Sequence, residues 1–265
     1  MKNTMRTLSP SLLVSTCALG FFGILAISVQ PQMDGGQLIA RANLVTEFDQ
    51  EIDSSLHQAN QESPASVRLF NHITDLGSGV WIKRLATVVA LGLVIVPCWM
   101  VIFHKRKIKV PIWGAVLALV WLLVLVLGEM LNLELKDHFR RARPPFHAGA
   151  HAYGYSFPSG HAMGAFIAYG MLAYLLTLAI PQRRIRRSVV AVLALIVVLI
   201  GFSRIFLGAH WFSDVIGAFA AGAGWLGFCI AGMEGVRGLL RAAARARVPE
   251  GGLVKLQPEP SQTIS

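Results

Sequence analysis

Residues 203–214 read Ser-Arg-Ile-Phe-Leu-Gly-Ala-His-Trp-Phe-Ser-Asp and lie between two long apolar segments. His210 and Asp214 are four residues apart, so they share one face if the following segment is helical from its first turn. A carboxylate beside an imidazole fixes which ring nitrogen carries the proton and leaves the other as a nucleophile or base. Arg204 adds a planar donor fork that suits phosphate. Taken alone, the stretch also fits an ordinary helix end at a membrane boundary.

The chain around this stretch is strongly apolar. Of its 265 residues 54% are hydrophobic and 14% are charged, and the mean hydropathy is +0.57. This composition argues against a soluble domain and predicts a single integral membrane domain over residues 1–265, an all-α bundle of six transmembrane helices. The six apolar runs, each long enough to span a bilayer, cover roughly residues 11–29, 85–103, 112–135, 162–180, 188–206 and 215–233.

Basic residues fall in short clusters beside the apolar runs. The clusters are Lys2 with Arg6, residues 104–109, residues 183–187, and the tail from Arg237. Because positive clusters mark the cytoplasmic side, both chain ends are predicted to lie inside, with residues 234–265 as a basic cytoplasmic tail. The net charge of +10 is therefore an orientation signal, and no nucleic-acid partner is predicted. The first run is predicted to be an uncleaved span.

A polar insertion, residues 30–84, separates the first two runs. Acidic residues outnumber basic ones there, which predicts an external helical insertion. The apolar residues that recur every four positions are Leu44, Phe48, Ile52 and Leu56. This period predicts an interfacial helix in which Thr46 and Asp49 form a cap or a turn. A second helix is predicted from Pro64 to a stop at Gly77, and simple packing on the bundle is favoured over substrate gating.

Two further groups of residues are predicted to lie on the same side of the membrane as residues 203–214. Lys136 and Arg143 follow span three, seven residues apart, and they could clamp an oxyanion on one face if the helix continues across them. Ser159, Gly160 and His161 head span four, where free amides and the helix dipole favour an anion. Ser159 suits both a helix cap and a phosphate donor. His161 is a candidate acid facing His210.

Together these pieces, which lie within residues 136–214, are the components needed for phosphoryl transfer through a phosphohistidine. Residues 136–144, 158–161 and 203–214 resemble the three motifs of the type 2 phosphatidic acid phosphatase (PAP2) family, and the layout is similar over about residues 40–233. The resemblance implies that His210 attacks phosphorus, Asp214 orients it and His161 protonates the leaving oxygen. It also implies a phosphate-binding set: Lys136, Arg143, Ser159, Gly160 and Arg204.

No metal or other cofactor is predicted, because the external carboxylates are scattered and only Asp214 is near the histidines. The three cysteines each lie inside a predicted span, so neither a disulfide framework nor a metal site is expected from them. Glu129 lies inside span three, and an internal hydrogen bond or a pairing with Lys136 is predicted for it.

The resemblance implies a metal-independent phosphatase in a bacterial inner membrane, with the site facing outward and a phosphorylated lipid supplied by the bilayer. Undecaprenyl diphosphate is the favoured substrate, with phosphatidylglycerophosphate, phosphatidic acid and lipid A phosphate as alternatives. An alternative with the same chemistry is transfer of the phosphate from the phosphohistidine to another lipid or sugar. A transporter or binding protein for phosphorylated solutes would use the same cations without turnover. Soluble acid phosphatases and vanadate-dependent haloperoxidases have similar motifs, but the apolar spans argue against both. The oligomeric state is left open.

Overall fold

The computed structural model describes residues 9–34, 37–39, 42–104, 110–145 and 153–246. These ranges hold eight helices and one two-stranded hairpin. In chain order the elements are α1 (Pro10–Val29), β1 (Gln32–Asp34), β2 (Gln37–Ile39), α2 (Leu44–Glu62), α3 (Pro64–Asp75), α4 (Gly79–His104), α5 (Val110–Phe139), α6 (Gly160–Ala179), α7 (Arg183–Phe206) and α8 (Phe212–Ala246). Six of them, α1 and α4 to α8, are long and apolar enough to cross a membrane.

These six helices confirm the predicted helical bundle, although their ends differ from the apolar runs. Helix α4 begins at Gly79, before the predicted run, and α8 continues to Ala246, well beyond it. Polar residues can extend a helix past its apolar part, so hydropathy finds the span but not the helix end. The hairpin departs from the all-α prediction: Gln32 pairs with Ile39 in an antiparallel register. Strands of three residues are too short to show an alternating pattern.

Three predicted basic segments fall partly or wholly beyond the described ranges. Lys2 and Arg6, residues 105–109 and the tail from residue 247 lie outside the described residues. The described part of the tail is the last stretch of α8, where Arg237 Nη1 donates to the hydroxyl of Tyr174 at 3.0 Å. The cytoplasmic placement of the tail therefore stays a prediction.

The insertion forms α2 and α3, as predicted, but the cap of α2 differs. Asn43 Oδ1 accepts the backbone N–H groups of Val45 and Thr46, and Thr46 Oγ1 accepts the N–H of Asn43 in return. The N-cap of α2 is therefore Asn43, with Thr46 as its reciprocal partner, and the predicted cap by Thr46 and Asp49 is wrong. Asp49 lies one turn further on and is buried, with 1% of its surface exposed. Helix α3 begins at Pro64 as predicted.

Small residues of α8 let α1 approach it closely. A Cβ added at Gly224 would lie 2.5 Å from Leu19 Cδ2, and one at Gly227 would lie 2.9 Å from the backbone oxygen of Ser11. Ser15 Oγ donates to the Gly224 carbonyl at 2.6 Å. These contacts join α1 to α8, so the small-residue run serves packing, as close helix approach in membranes requires. The core below the site is built by α5, α6, α7 and α8.

Candidate active site

Residues 203–214 form the end of α7, a tight turn and the first turn of α8. Gly208 has a φ of 65°, a left-handed conformation that glycine adopts readily. His210 lies in this turn, and α8 begins only at Phe212, later than the predicted spacing assumes. Nδ1 of His210 is nevertheless 3.4 Å from Oδ2 of Asp214. The structure therefore brings the predicted pair within ion-pair distance, although Nδ1 does not reach hydrogen-bond geometry with the carboxylate.

Both members of this pair are buried, His210 at 3% and Asp214 at 0% exposure. Nε2 of His210 is 3.1 Å from Nη1 of Arg143. Because a guanidinium group only donates, Nε2 accepts this bond and Nδ1 carries the ring proton toward Asp214. Burial lowers the pKa of His210 to about 3, and the Asp214 carboxylate opposes that shift. The imidazole is therefore neutral, with its Nε2 lone pair turned toward the cations of the site.

Lys136 and Arg143 do not lie on one continuous helix, which corrects the prediction that they share a helical face. Helix α5 ends at Phe139, and the following Arg140 has a φ of 47°, outside the right-handed helical region. The two cations meet all the same. Lys136 Nζ and Arg143 Nη2 both donate to the carbonyl of Tyr155, at 2.7 and 3.1 Å. The two cations are thus brought together by a helix end and an extended segment, and their role as an oxyanion clamp stays a prediction.

Backbone carbonyls hold Arg143 from two directions. Its Nε and Nη2 donate to Gly154 and Tyr153 at 2.9 and 2.8 Å, and its Nη1 donates to Ala209 at 2.7 Å. Burial lowers the pKa of Arg143, and the Asp214 carboxylate opposes that shift. The guanidinium therefore ties the segment before α6 to the turn that carries His210.

Helix α6 starts at Gly160, with Ser159 at its N-cap position. Ser159 Oγ is buried and has no hydrogen-bond partner within the described part of the chain, so its side chain does not cap the helix. Of its two predicted roles, the helix cap is wrong and the phosphate donor stays a prediction. A Cβ at Gly160 would lie 3.1 Å from Asn132 Oδ1 and 3.9 Å from Lys136 Cε. The glycine therefore lets the start of α6 approach Asn132 closely, with Lys136 at ordinary contact distance from the same position. Free amides at a helix start suit an anion.

The remaining predicted residues complete the site. His161, in the first turn of α6, lies within electrostatic range of His210 and of the three cations. Arg204 is buried, and its Nη1 donates to Thr74 Oγ1 of α3 at 3.0 Å, whereas its Nε has no partner among the residues described. Ser159 N–H donates to the Asp214 carbonyl at 3.1 Å. The structure thus gathers every predicted site residue: Lys136, Arg143, Ser159, Gly160, His161, Arg204, His210 and Asp214.

Sequence reasoning missed the residues behind the pair. Arg141 Nη1 is 2.6 Å from Asp214 Oδ1, and its Nη2 is 2.6 Å from Asp49 Oδ2. For Arg141 a signal existed, since a cation is unusual close to a span end that the charge pattern predicts to be external. Nothing local marks Asp49 or Thr74, because the insertion is far from the motifs in the sequence. Only the folded chain connects them.

An apolar cavity of about 340 Å³ lies between α4, α5 and α6. Its wall includes Gly160 and His161 at the site, and Glu129 lies among the apolar residues further along α5. The predicted pairing of Glu129 with Lys136 is not formed. Lys136 Nζ donates to the carbonyls of Tyr155 and Ser156 instead. The cavity therefore leads from the candidate acid into the membrane-length part of the bundle.

Residues 113–237 match the PAP2 superfamily. The chain is 32% identical over 188 residues to phosphatidylglycerophosphatase B of Bacillus subtilis, covering 70% of this chain and 85% of that protein. It is 28% identical over 131 residues to an undecaprenyl-diphosphatase of Sulfolobus acidocaldarius, covering 49% and 57%. Its fold is similar to the crystal structure of a transmembrane PAP2 type phosphatidylglycerolphosphate phosphatase from Bacillus subtilis. That likeness has a TM-score of 0.67 and 27% identity, and covers 84% of this chain and 96% of that chain.

Proposed function

The chain belongs to the PAP2 superfamily and is a multi-span membrane lipid phosphatase; we propose that it hydrolyses phosphatidylglycerophosphate through a phosphohistidine on His210. The observation that carries this mechanism is the buried imidazole, whose Nδ1 is 3.4 Å from Asp214 and whose Nε2 is turned toward a cluster of cations. A neutral, oriented imidazole is a competent nucleophile, and fixed cations stabilise the charge on a phosphoryl group in transit.

The proposed reaction has two steps. In the first, Nε2 of His210 bonds to phosphorus while the bond to the lipid oxygen breaks, and His161 gives that oxygen a proton. In the second, water attacks phosphorus and the N–P bond breaks, which releases inorganic phosphate and returns a proton to His161. Throughout, Asp214 holds the proton on Nδ1 and stabilises the positive charge that the ring gains.

The phosphate itself is proposed to bind among the cations and the start of α6. Two buried groups favour this position, Ser159 Oγ and Arg204 Nε, which have no protein partner among the described residues. Buried polar groups ordinarily have one. Lys136, Arg143 and Gly160 border the same position. Because these groups supply the positive charge, the proposed reaction needs no divalent metal.

The choice of lipid rests on two observations. The cavity between α4, α5 and α6 is lined largely by apolar residues and reaches His161, which suits a lipid tail beside the phosphate. The longer of the two matches, 188 residues at 32% identity, is to a phosphatidylglycerophosphatase. Phosphatidylglycerophosphate is therefore the first substrate to test. Undecaprenyl diphosphate, favoured by the motifs alone, becomes the second because a shorter match carries that name.

We also propose that the site faces the outside of a bacterial inner membrane. The basic clusters before α1, between α4 and α5, and at the start of α7 support this orientation. Residues 30–84 are then an external insertion, residues 136–214 carry the catalytic groups at the external face, and residues 234–265 form a cytoplasmic tail.

Phosphate release by the detergent-purified protein tests the proposal. The panel contains phosphatidylglycerophosphate, undecaprenyl diphosphate, phosphatidic acid and lipid A phosphate, in excess chelator. We expect release in chelator and a loss of at least about 10³-fold in His210→Gln, which still binds substrate. His72→Gln, an exposed histidine of α3, is the matched control and should retain wild-type turnover.

Three results would contradict the proposal. Turnover that disappears in chelator and returns with a divalent ion would disprove metal independence. Unaltered release by His210→Gln would disprove the nucleophile. Movement of intact substrate across a vesicle membrane without phosphate release would identify a transporter. Reaction in ¹⁸O-labelled water separates hydrolysis, which labels the phosphate, from transfer to another acceptor, which does not.

A further inference from the structure

Asp49 is a buried carboxylate on the insertion helix α2, outside the three motifs. Its Oδ1 accepts the backbone N–H of Ser213 at 2.8 Å, and its Oδ2 accepts the Ser213 hydroxyl. Ser213 lies in the first turn of α8, next to Asp214. Free amides at a helix start need acceptors, and a carboxylate there also favours the helix dipole. Asp49 therefore caps α8 from another part of the chain, at the turn that carries Asp214.

Arg141 links the carboxylates of Asp49 and Asp214 directly. Its Nη1 donates to Asp214 Oδ1 and its Nη2 to Asp49 Oδ2, both at 2.6 Å, and Nη1 also donates to Ser213 Oγ at 2.7 Å. Its side chain is 8% exposed, whereas those of Asp49 and Asp214 are 1% and 0% exposed. Bonds between buried charged groups of this length are the strong kind. A continuous chain of contacts thus runs from Asp49 through Arg141 and Asp214 to His210.

The charges of this chain matter for the proposed reaction. One guanidinium lies between two carboxylates, so the group carries a net negative charge when both carboxylates are ionised. His210 keeps its Nδ1 proton while Nε2 bonds to phosphorus, and the ring becomes positive. A net negative group behind it stabilises that charge. Without the Asp49 charge, Arg141 would be balanced by Asp214 alone, and the carboxylate would have less charge left for the ring.

We propose that Asp49 is a positioning residue for the His210–Asp214 pair, acting through Arg141 and the start of α8. The insertion is then part of the catalytic machinery rather than packing alone. This inference rests on the proposed phosphohistidine reaction, because it assigns Asp49 to the charge that forms in that reaction. Asp49 touches neither substrate nor phosphate in it.

The test compares kcat and KM of purified Asp49→Asn and Asp49→Glu with the wild type. Active sites are counted from the burst of product in the first turnover, so misfolded protein does not enter the rate. We expect Asp49→Asn to lose about 10- to 100-fold in kcat per active site, as for groups that orient a reacting side chain, with KM within about twofold. Asp49→Glu keeps the charge and should recover part of the loss. Glu51→Gln, an exposed acid of α2, is the control.

A double-mutant cycle separates action through Arg141 from a general effect on folding. In an Arg141→Gln background, Asp49→Asn should lose less kcat per active site than in the wild-type background, since the path through Arg141 is already broken and only the contacts of Asp49 with Ser213 remain. Equal fold-losses in both backgrounds would overturn the inference. Wild-type kcat per active site in both Asp49 variants would overturn it as well. If the wild type itself released no phosphate, the proposed function would fail instead, so the two failures are distinguishable.

Discussion

In the proposed reaction the chemistry depends on His210, and the surroundings of this residue determine its protonation. A proton on Nε2 is unfavourable because it would face the Arg143 guanidinium at 3.1 Å. The ring is also buried, which disfavours its charged form. Burial, the larger effect, lowers the pKa of His210 to about 3 from an ordinary 6.5. Between these two pH values the unfolded chain binds a proton that the folded chain does not. The contribution of His210 to the free energy of unfolding is therefore fully present above pH 6.5 and is lost as the pH is lowered toward 3.

This linkage gives a prediction for thermal unfolding in detergent. The melting temperature of the wild type should drop between pH 7 and pH 4, and His210→Gln should drop less because it has no such proton to bind. His72→Gln, whose ring is exposed, should keep the wild-type decrease. Equal decreases in all three proteins would show that His210 is not held neutral by burial.

Asp214 gives a second prediction at the same scale. Asp214→Asn keeps the shape of the side chain but removes the acceptor charge that holds the proton on Nδ1. The ring can then carry its proton on Nε2, where it cannot attack. We expect kcat to fall by about 10⁴-fold, the loss seen when the orienting carboxylate of a catalytic histidine is replaced by an amide. The measurement is single-turnover phosphate release, with the exposed Asp137→Asn as control. Wild-type turnover in Asp214→Asn would contradict the assignment.

At the scale of helices and loops, the sequence predicted what local patterns encode and missed what contacts across the chain decide. Apolar length located the six spans, and the motif residues were found from short local spacings and from the resemblance to the PAP2 motifs. The route by which Lys136 meets Arg143 was not predictable from spacing, because Arg140 turns the chain with a φ of 47°. Asp49 and Ser213 are 164 residues apart, and no periodicity in either segment indicates their contact.

Helix packing between α1 and α8 gives a prediction at this scale. Gly227→Val would place its Cβ 2.9 Å from the Ser11 carbonyl and close to the backbone of Ser15. Backbone cannot move aside as a side-chain tip can, so α1 must shift. We expect the free energy of unfolding to fall by about 1–3 kcal/mol more than in Gly232→Val. Gly232 has open space at its Cβ position and controls for helix propensity. Equal stability of the two variants would show that α1 is not closely packed there.

For the whole molecule, the sidedness of the bundle follows from charge and remains a proposal. Cysteines introduced into a cysteine-free background at Glu51 in α2 and at Arg184 in α7 test it, since both positions are exposed. A membrane-impermeant maleimide added to spheroplasts should label Glu51→Cys directly. Arg184→Cys should be labelled only after permeabilisation. The reverse pattern would place the site in the cytoplasm.

The assembled site was predictable as a set of residues but not as a structure. Four helix ends had to face one side for the predicted topology to hold, and that condition brought His161 toward His210. The insertion was expected to pack on the bundle, yet α2 and α3 supply Asp49 to Arg141 and Thr74 to Arg204. Such buried polar contacts depend on the relative placement of whole elements, which composition does not encode.

The contact between Arg143 and Nε2 of His210 has a consequence for the resting protein. Nε2 of the ring accepts from the guanidinium, while Nδ1 faces the Asp214 carboxylate at 3.4 Å, so the Nε2 lone pair is occupied in the resting protein. An anion that draws the guanidinium onto itself frees the lone pair. In the proposed reaction, the negative charge of a lipid headgroup would therefore release the nitrogen that attacks it, whereas a headgroup without net charge would leave Nε2 bound to Arg143.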